Sequence, residues 1–188
     1  MAKHGLLYES DNQIVHCINR AGISESDLDG GALVAEGALV SGDHEVSVLT
    51  FAQAPVADPA SAGTTRVGIC YSPSVHYDVI NGKRFPAKSE DDRDYYNIAG
   101  DVVDYFFPEV GVEFGVTMAN IKGTTAPTKG KFLEIAPENN GKFVIKDSQT
   151  ANTPSFEVRD IIDVKYPSID SFADDIEKVY IVATRFNG

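Results

Sequence analysis

The stretch "GKFLEIAPENNGKF" (residues 130–143) states one tripeptide twice. Gly130-Lys131-Phe132 returns as Gly141-Lys142-Phe143, and two asparagines stand just before the second copy. Asn140-Gly141 tolerates the positive φ of a tight turn, so the stretch reads as a β-hairpin. Phe132 and Phe143 are the expected core anchors, and Lys131 and Lys142 keep exposed strand edges soluble. Strand chemistry accounts for the repeat with no cofactor.

The same grammar spreads outward. "HEVSVLTFAQ" (44–53) alternates, with Val46, Val48 and Thr50 on one face and Ser47, Leu49 and Phe51 on the other, which predicts a strand. "RVGICYS" (66–72) predicts another. "VHYDVINGKRF" (75–85) sets Asn81-Gly82 between two apolar-alternating arms, a strong hairpin signal. "VGVEFGVTMANI" (110–121) sets Val112, Phe114, Val116 and Met118 against Gly111, Glu113, Gly115 and Thr117. "SFEVRDIIDVKYP" (155–167) and "KVYIVATRF" (178–186) complete the strand-rich second half. Two segments break the pattern. "DVVDYFF" (101–107) reads as a helical turn or two stopped by Pro108. "SIDSFADDIEK" (168–178) reads as a helix capped by Ser168 or Asp170, or else as a long acidic loop.

The first quarter is less regular. "NQIVHCI" (12–18) fits a short strand or a helical turn. "GALVAEGALV" (31–40) states Gly-Ala-Leu-Val twice, and its glycine density argues for bent strands or an extended arm rather than a helix. The expected fold is mainly β: a compact antiparallel barrel or sandwich with short helical segments. An N-terminal arm with a Gly/Ala-rich segment (1–43) would precede a β-rich core (44–188), with two lobes split near residue 108 as the alternative.

Composition narrows the function. The chain has 188 residues, enough for a substantial core, with 16 Lys and Arg against 28 Asp and Glu for a net charge of −12. A chain this acidic is repelled by phosphate backbones, so direct nucleic-acid binding is not expected. No apolar run is long enough for a signal peptide or a membrane span. Cys17 and Cys70 stand far apart and form no ligand pair, so buried thiols are expected over a disulfide framework.

Motifs with chemical meaning are few. "ESDLDGGALVAE" (25–36) puts Glu25, Asp27, Asp29, Gly30 and Glu36 at positions 1, 3, 5, 6 and 12 of a calcium-loop template. Glu at position 1 and Ala32 at position 8 depart from that template. The alternative is a solvated acidic turn before a strand. "EDDRDYYNIAGD" (90–101) offers Glu90, Asp91, Asp92, Asp94 and Asp101, which with Arg93 among them read as a wet charge run rather than an acid–base pair. The histidines His4, His16, His44 and His76 have no metal-ligand spacing, and no GxSxG or phosphate-loop signature occurs. "GTTAPTKGK" (123–131) fails the phosphate-loop spacing. No catalytic residue, cofactor or enzyme activity is therefore expected. The aromatic cluster Tyr95, Tyr96, Tyr105, Phe106 and Phe107 is either core or the anchor of a partner interface.

In its organisation the chain resembles the capsid decoration, or cement, proteins of tailed bacteriophages. A short polar N-terminal stretch (Ala2 to Gln13) and a Gly/Ala-rich segment (Gly30 to Gly42) precede compact β-structure. "GTTAPTKGKFLEI", "NGKFVIKD", "SFEVRDIIDVKY" and "KVYIVATRF" then follow as short strands and loops. The resemblance implies a structural virion protein, made in the host cytoplasm, that docks on the major capsid protein and stabilises the assembled shell. It further implies a homo-oligomer, with a trimer favoured, and an N-terminal arm whose removal (residues 1–13) leaves folding intact but abolishes docking. An acidic surface fits a basic rim on the shell. Another phage head or tail module, or a calcium-dependent binding module using residues 25–36, are the alternatives.

Overall fold

The computed structural model describes residues 4–9, 17–54, 66–73, 77–80, 83–86, 92–138, 140–166 and 175–188. The strands are β1 (Leu7–Glu9), β2 (Ile18–Ser24), β3 (Leu33–Leu39), β4 (Val46–Phe51), β5 (Gly68–Cys70), β6 (Tyr77–Ile80), β7 (Lys83–Pro86), β8 (Val102–Phe107), β9 (Glu113–Thr117), β10 (Phe132–Ile135), β11 (Phe143–Lys146), β12 (Ser155–Tyr166) and β13 (Asp175–Phe186). Short 3-10 turns occur at Asp92–Asp94 and Met118–Asn120. Strands β2-β4-β3-β5-β8 close into a five-stranded barrel, and β1-β9-β13-β12-β10-β11 form a six-stranded sheet. The mainly β class, with a barrel, is what the alternation predicts, but the barrel is not wholly antiparallel, because β2 and β4 pair parallel.

A strand presents alternate residues to opposite faces, and in this barrel both faces are put to use. Val34, Leu49, Cys70, Val103, Tyr105 and Phe107 fill the barrel interior, closed over by Leu28 and Ala32. Their neighbours Leu33, Ile69 and Phe106 point outward into a second core shared with the sheet, where they meet Phe114, Val116, Leu133, Phe143, Phe156 and Val182. A five-stranded barrel is narrow, so a large inward side chain needs a small one across from it. Tyr105 gets that room from Gly68, where a methyl group would stand 2.6 Å from the tyrosine ring.

Edge-to-face aromatic contacts bind barrel to sheet. Phe106 of β8 meets Phe114 of β9 at 6.0 Å, Phe114 meets Phe156 of β12 at 5.5 Å, and Phe156 meets Phe143 of β11 at 5.6 Å. Each such contact contributes about 1 kcal/mol beyond the area buried. Pro108 follows the last barrel strand, and its carbonyl accepts from the Asn187 side chain, which also pairs with both backbone groups of Val67.

Four expectations are corrected by this arrangement. The division into an arm (1–43) and a core (44–188) does not hold, because β2 and β3 are two of the five barrel strands. The N-terminal stretch is likewise built in. Leu6 and Leu7 are buried, β1 pairs with β9, and the Leu6 and Leu7 amides donate to Thr117 Oγ1 and Ser72 Oγ. Removing residues 1–13 therefore takes a strand and two core leucines with it. "DVVDYFF" is the strand β8, whose end, Tyr105–Phe107, is an unbroken aromatic run because both faces are buried there. Asp175–Lys178, read as the end of a helix or loop, is the start of β13; Ser168 to Asp174 lie outside the described residues.

The opening repeat is a hairpin with a longer connection than a two-residue turn. Phe132 pairs with Lys146 and Ile135 with Phe143, and the Ala136 amide donates to the Lys142 carbonyl. Phe143 is a core anchor as expected, but Phe132 is half-buried, and Leu133 takes the core position instead. What the two copies share is their entry geometry: Gly130 (φ 82°) and Gly141 (φ 69°) are both left-handed, with a single residue, the lysine, between each and its strand. The two arms around Asn81-Gly82 pair as expected, from Ile80 with Lys83 to Tyr77 with Pro86; the turn itself lies outside the described residues. The two copies of Gly-Ala-Leu-Val diverge. Gly31–Val34 is buried, while Gly37–Val40 runs out to the surface past a register shift between Glu36 and Leu39.

Candidate functional site

The carboxylates of the calcium-loop template are drawn apart by the fold. The barrel turns Glu36 on β3 toward its own mouth, where Oε1 accepts hydrogen bonds from Tyr105 Oη (2.9 Å) and Ser47 Oγ (3.0 Å), with Arg20 at 3.7 Å. Burial, and then the bond to Glu36, push the Tyr105 phenol well above its ordinary range. Asp29 instead pairs with His4 Nδ1 at 2.8 Å, and Asp27 Oδ1 accepts the Ala99 amide at 2.9 Å. Glu25 is exposed at the start of the loop. Among the described residues no three of His, Cys, Asp and Glu come together as a metal-holding group. The template spacing presumes a calcium-binding loop between helices; here a β-strand runs through it and carries Glu36 away.

Four of the five candidate interface aromatics lie inside the protein. Tyr105, Phe106, Phe107 and Tyr95 are all under a tenth exposed, the first three filling the two sides of β8. Tyr96 is half-buried and lies against His4, ring centroids 4.6 Å apart. The cluster is core, not a docking face.

The acidic stretch at 90–101 is corrected in a different way. Arg93, taken for part of a wet charge run, is 4% exposed. Its Nη2 lies 2.7 Å from Asp175 and its Nη1 3.1 Å from Glu177, and its guanidinium sits 4.1 Å above the Tyr166 ring. Tyr166 and Asp175 are register partners where β12 and β13 approach their connection. The 3-10 turn at Asp92–Asp94 thus clasps the far end of the longest hairpin in the described structure. The His4 amide donates to the Arg93 carbonyl, tying the N-terminus to the same point. A guanidinium suits this role because its planar fork serves two carboxylates while its face stacks on an aromatic ring. The partners lie 82 and 84 residues away in sequence, so no local signal announced them.

Beyond the sheet the hairpin stands as a two-stranded ribbon. β10 pairs with β12 only at Ser155–Glu157, and β9 pairs with β13 only at Val179–Ala183. Residues 163–166 and 175–178 pair with each other and with no further strand among those described, whereas 160–162 pair with Val179–Ile181, which still pair with β9. The flank is guarded where it leaves the sheet: a register shift lies between Val158 and Asp160, and Asp160 Oδ1 accepts the Ile161 amide at 2.8 Å. Such bulges and edge carboxylates discourage indiscriminate strand addition. Ile176 is exposed on the ribbon and Ile162 at its base.

A cleft of about 190 Å³ lies between the barrel and the 137–142 connection, lined by Asp27, Asp29, Phe51, Asn120 and Lys142 among others. Asn120, its most buried polar group, already donates to the Gly30 carbonyl and bonds Thr117. Both cysteines are buried free thiols, as expected. Burial pushes Cys70 up to about 12 and raises Cys17 as well, which removes nucleophilic character from each near neutrality. No helix among the described residues is long and apolar enough to cross a membrane. No protein-family model matches the chain, and no curated protein matches it either.

Proposed function

We propose that the chain is a structural virion protein that docks, as a homo-oligomer, on the outer surface of a phage shell and stabilises it. The observation that carries this reading is the β12–β13 ribbon. It is paired from Asp163–Lys178 to Tyr166–Asp175, clasped near its end by Arg93, and projects past the sheet with Ile176 exposed on it and Ile162 exposed at its base. A rigid β-body with a stiff protrusion suits a protein that bridges neighbouring subunits by shape and requires no chemistry. A net charge of −12 favours approach to a basic rim and disfavours the packaged nucleic acid. The major capsid protein is the partner in this reading, and no cofactor is involved.

Co-sedimentation with empty shells, assembled from the major capsid protein that this reading makes its partner, tests it. The expected result is saturable binding that weakens at high salt and at least tenfold with Ile176→Glu. Absence of pelleting at both low and physiological salt would overturn the proposal.

A further inference from the structure

Asn-Gly occurs three times in the chain, at 81–82, 140–141 and 187–188. The dipeptide is chemically labile, because a glycine without a Cβ lets its nitrogen close on the preceding side-chain carbonyl carbon. The fold treats two of these pairs in opposite ways; Asn81-Gly82 lies outside the described residues. Asn187 is held at every polar atom. Its Oδ1 accepts the Val67 amide at 2.7 Å, and its Nδ2 donates to the Val67 and Pro108 carbonyls, each at 3.0 Å. Its side-chain carbon and its leaving nitrogen are both fixed, and the residue is 9% exposed. Asn140 is exposed, and its Oδ1 takes one bond, from the Lys142 amide at 3.2 Å. Among the described residues nothing accepts a hydrogen bond from Asn140 Nδ2 or from the Gly141 amide. Gly141 lines the cleft of about 190 Å³, so water reaches the turn.

We infer that Asn140 is a self-modification site, where the turn converts to an aspartyl and isoaspartyl linkage without an enzyme. Hydroxide takes the proton from the Gly141 N–H, and the nitrogen forms a bond to Asn140 Cγ. The Lys142 amide already lies on Oδ1, so it is in place to donate to the oxyanion that forms there. The Cγ–Nδ2 bond then breaks, and Nδ2 leaves as ammonia with a proton from water. A second water opens the resulting cyclic imide at either carbonyl. Opening at Cγ leaves aspartate. Opening at the main-chain carbon leaves isoaspartate, whose chain runs through Cβ and Cγ and is one methylene longer. The net change is amide plus water to carboxylate plus ammonia, with nothing oxidised or reduced. Either product adds a carboxylate to a cleft that Asp27 and Asp29 already line. Isoaspartate also lengthens the chain next to Gly141, whose carbonyl holds the Leu33 amide at 2.9 Å and which packs on the Phe51 ring. Conversion therefore loosens the contact between sheet and barrel.

The purified full chain, incubated in mildly alkaline buffer made with heavy-oxygen water, reads the reaction by peptide mapping that separates the two isomers. Residue 140 is expected to become a mixture of both, carrying heavy oxygen, and to convert faster than in mildly acidic buffer. Asn187 should stay intact over the same period, and in urea both should convert. Asn140→Gln, which would have to close a larger ring, should keep the fold and stop the reaction at this turn. Asn140 that survives in the folded protein while converting in urea would overturn the inference, because the turn would then lock it. Equal conversion of Asn140 and Asn187 in the folded protein would overturn it too, since the fold would not be choosing between them. The converted chain, prepared with Asn81→Gln and isolated by anion exchange, should unfold at lower urea than the fresh one. Asn140→Asp adds the charge without the methylene and should fall between them. A converted chain as stable as the fresh one would refute the loosening.

Discussion

Arg93 is one residue in which sequence context and structural role point in opposite directions. Flanked by Asp91, Asp92 and Asp94, it has the surroundings of a surface charge, yet it is buried against Tyr166 and bonded to Asp175 and Glu177. A buried cation whose partners are removed is costly, and so is the reverse, because the remaining charges lose their compensation. Here the remaining charges would be carboxylates of unequal exposure, 53% for Asp175 and 14% for Glu177, so water recovers part of the loss. Arg93→Ala is expected to cost about 2 kcal/mol, the scale of hydrogen bonds to charged groups, with Arg93→Lys in between because it lacks the planar fork. Urea denaturation measures this. A loss under 0.5 kcal/mol, roughly the level of an exposed ion pair, would show that the clasp contributes little to the fold.

At the scale of elements, the twice-stated Gly-Lys-Phe separates backbone strain from packing. Both glycines are left-handed, but a methyl at Gly130 would meet nothing within 4 Å, while one at Gly141 would stand 2.7 Å from the Phe51 ring. The Gly141 carbonyl also accepts the Leu33 amide, so this turn is a joint between sheet and barrel. Gly130→Ala should cost about 1 kcal/mol for the left-handed backbone alone. Gly141→Ala should cost a further 1–3 kcal/mol, roughly the range for overpacking, unless Phe51 gives way. Denaturation midpoints compare them directly, and equal losses would refute the joint.

The same scale shows what the sequence discloses. "VGVEFGVTMANI" is legible because only one of its faces is strongly apolar, "HEVSVLTFAQ" because its β-branched residues alternate even with apolar residues on both faces, and the Asn81-Gly82 hairpin because its turn chemistry is local. "DVVDYFF" hid because its last three residues are buried on both faces and lose the alternation that Val102–Asp104 keep. Asp175–Lys178 hid because its acidic residues serve Arg93 and Lys178 serves Asp163 rather than a helix terminus. Barrel closure was out of reach for a different reason. It depends on β2 lying between β4 and β8, pairings far apart in the chain, and no window of sequence carries them. The calcium-loop spacing illustrates the converse, since Glu25, Asp27, Asp29 and Glu36 stand at the right intervals along a chain that bends them to different partners.

For the whole molecule, the question is how an acidic protein responds to acid, and two effects compete. Several carboxylates are held below their usual range by specific partners: Asp43 by the Glu45 and Val46 amides, Glu138 by Lys122, Asp147 by Lys131, Glu157 by Arg185 and Asp160 by Lys129. Each has a folded pKa below its unfolded one, so between the two values the unfolded chain takes up protons that the folded chain does not. Their contribution is therefore complete above roughly pH 4–5 and is lost as pH falls through the folded values. Against this, the first protonations relieve the self-repulsion of a chain with net charge −12, but only down to the sequence pI near 4.6, below which the 16 Lys and Arg leave the chain positive and repulsion returns. The partners are in contact at hydrogen-bond distance, whereas the repulsion acts between groups mostly farther apart and is screened beyond about 8 Å at physiological salt. The paired term should win there: the urea midpoint is expected to be flat from pH 7 to about pH 5 and to fall between pH 4 and pH 2. At low ionic strength the repulsion regains its reach, and because the chain is positive below its pI near 4.6 the fall should become steeper. A midpoint that rises on acidification in physiological salt would mean that net charge, not these pairs, governs the stability of the fold.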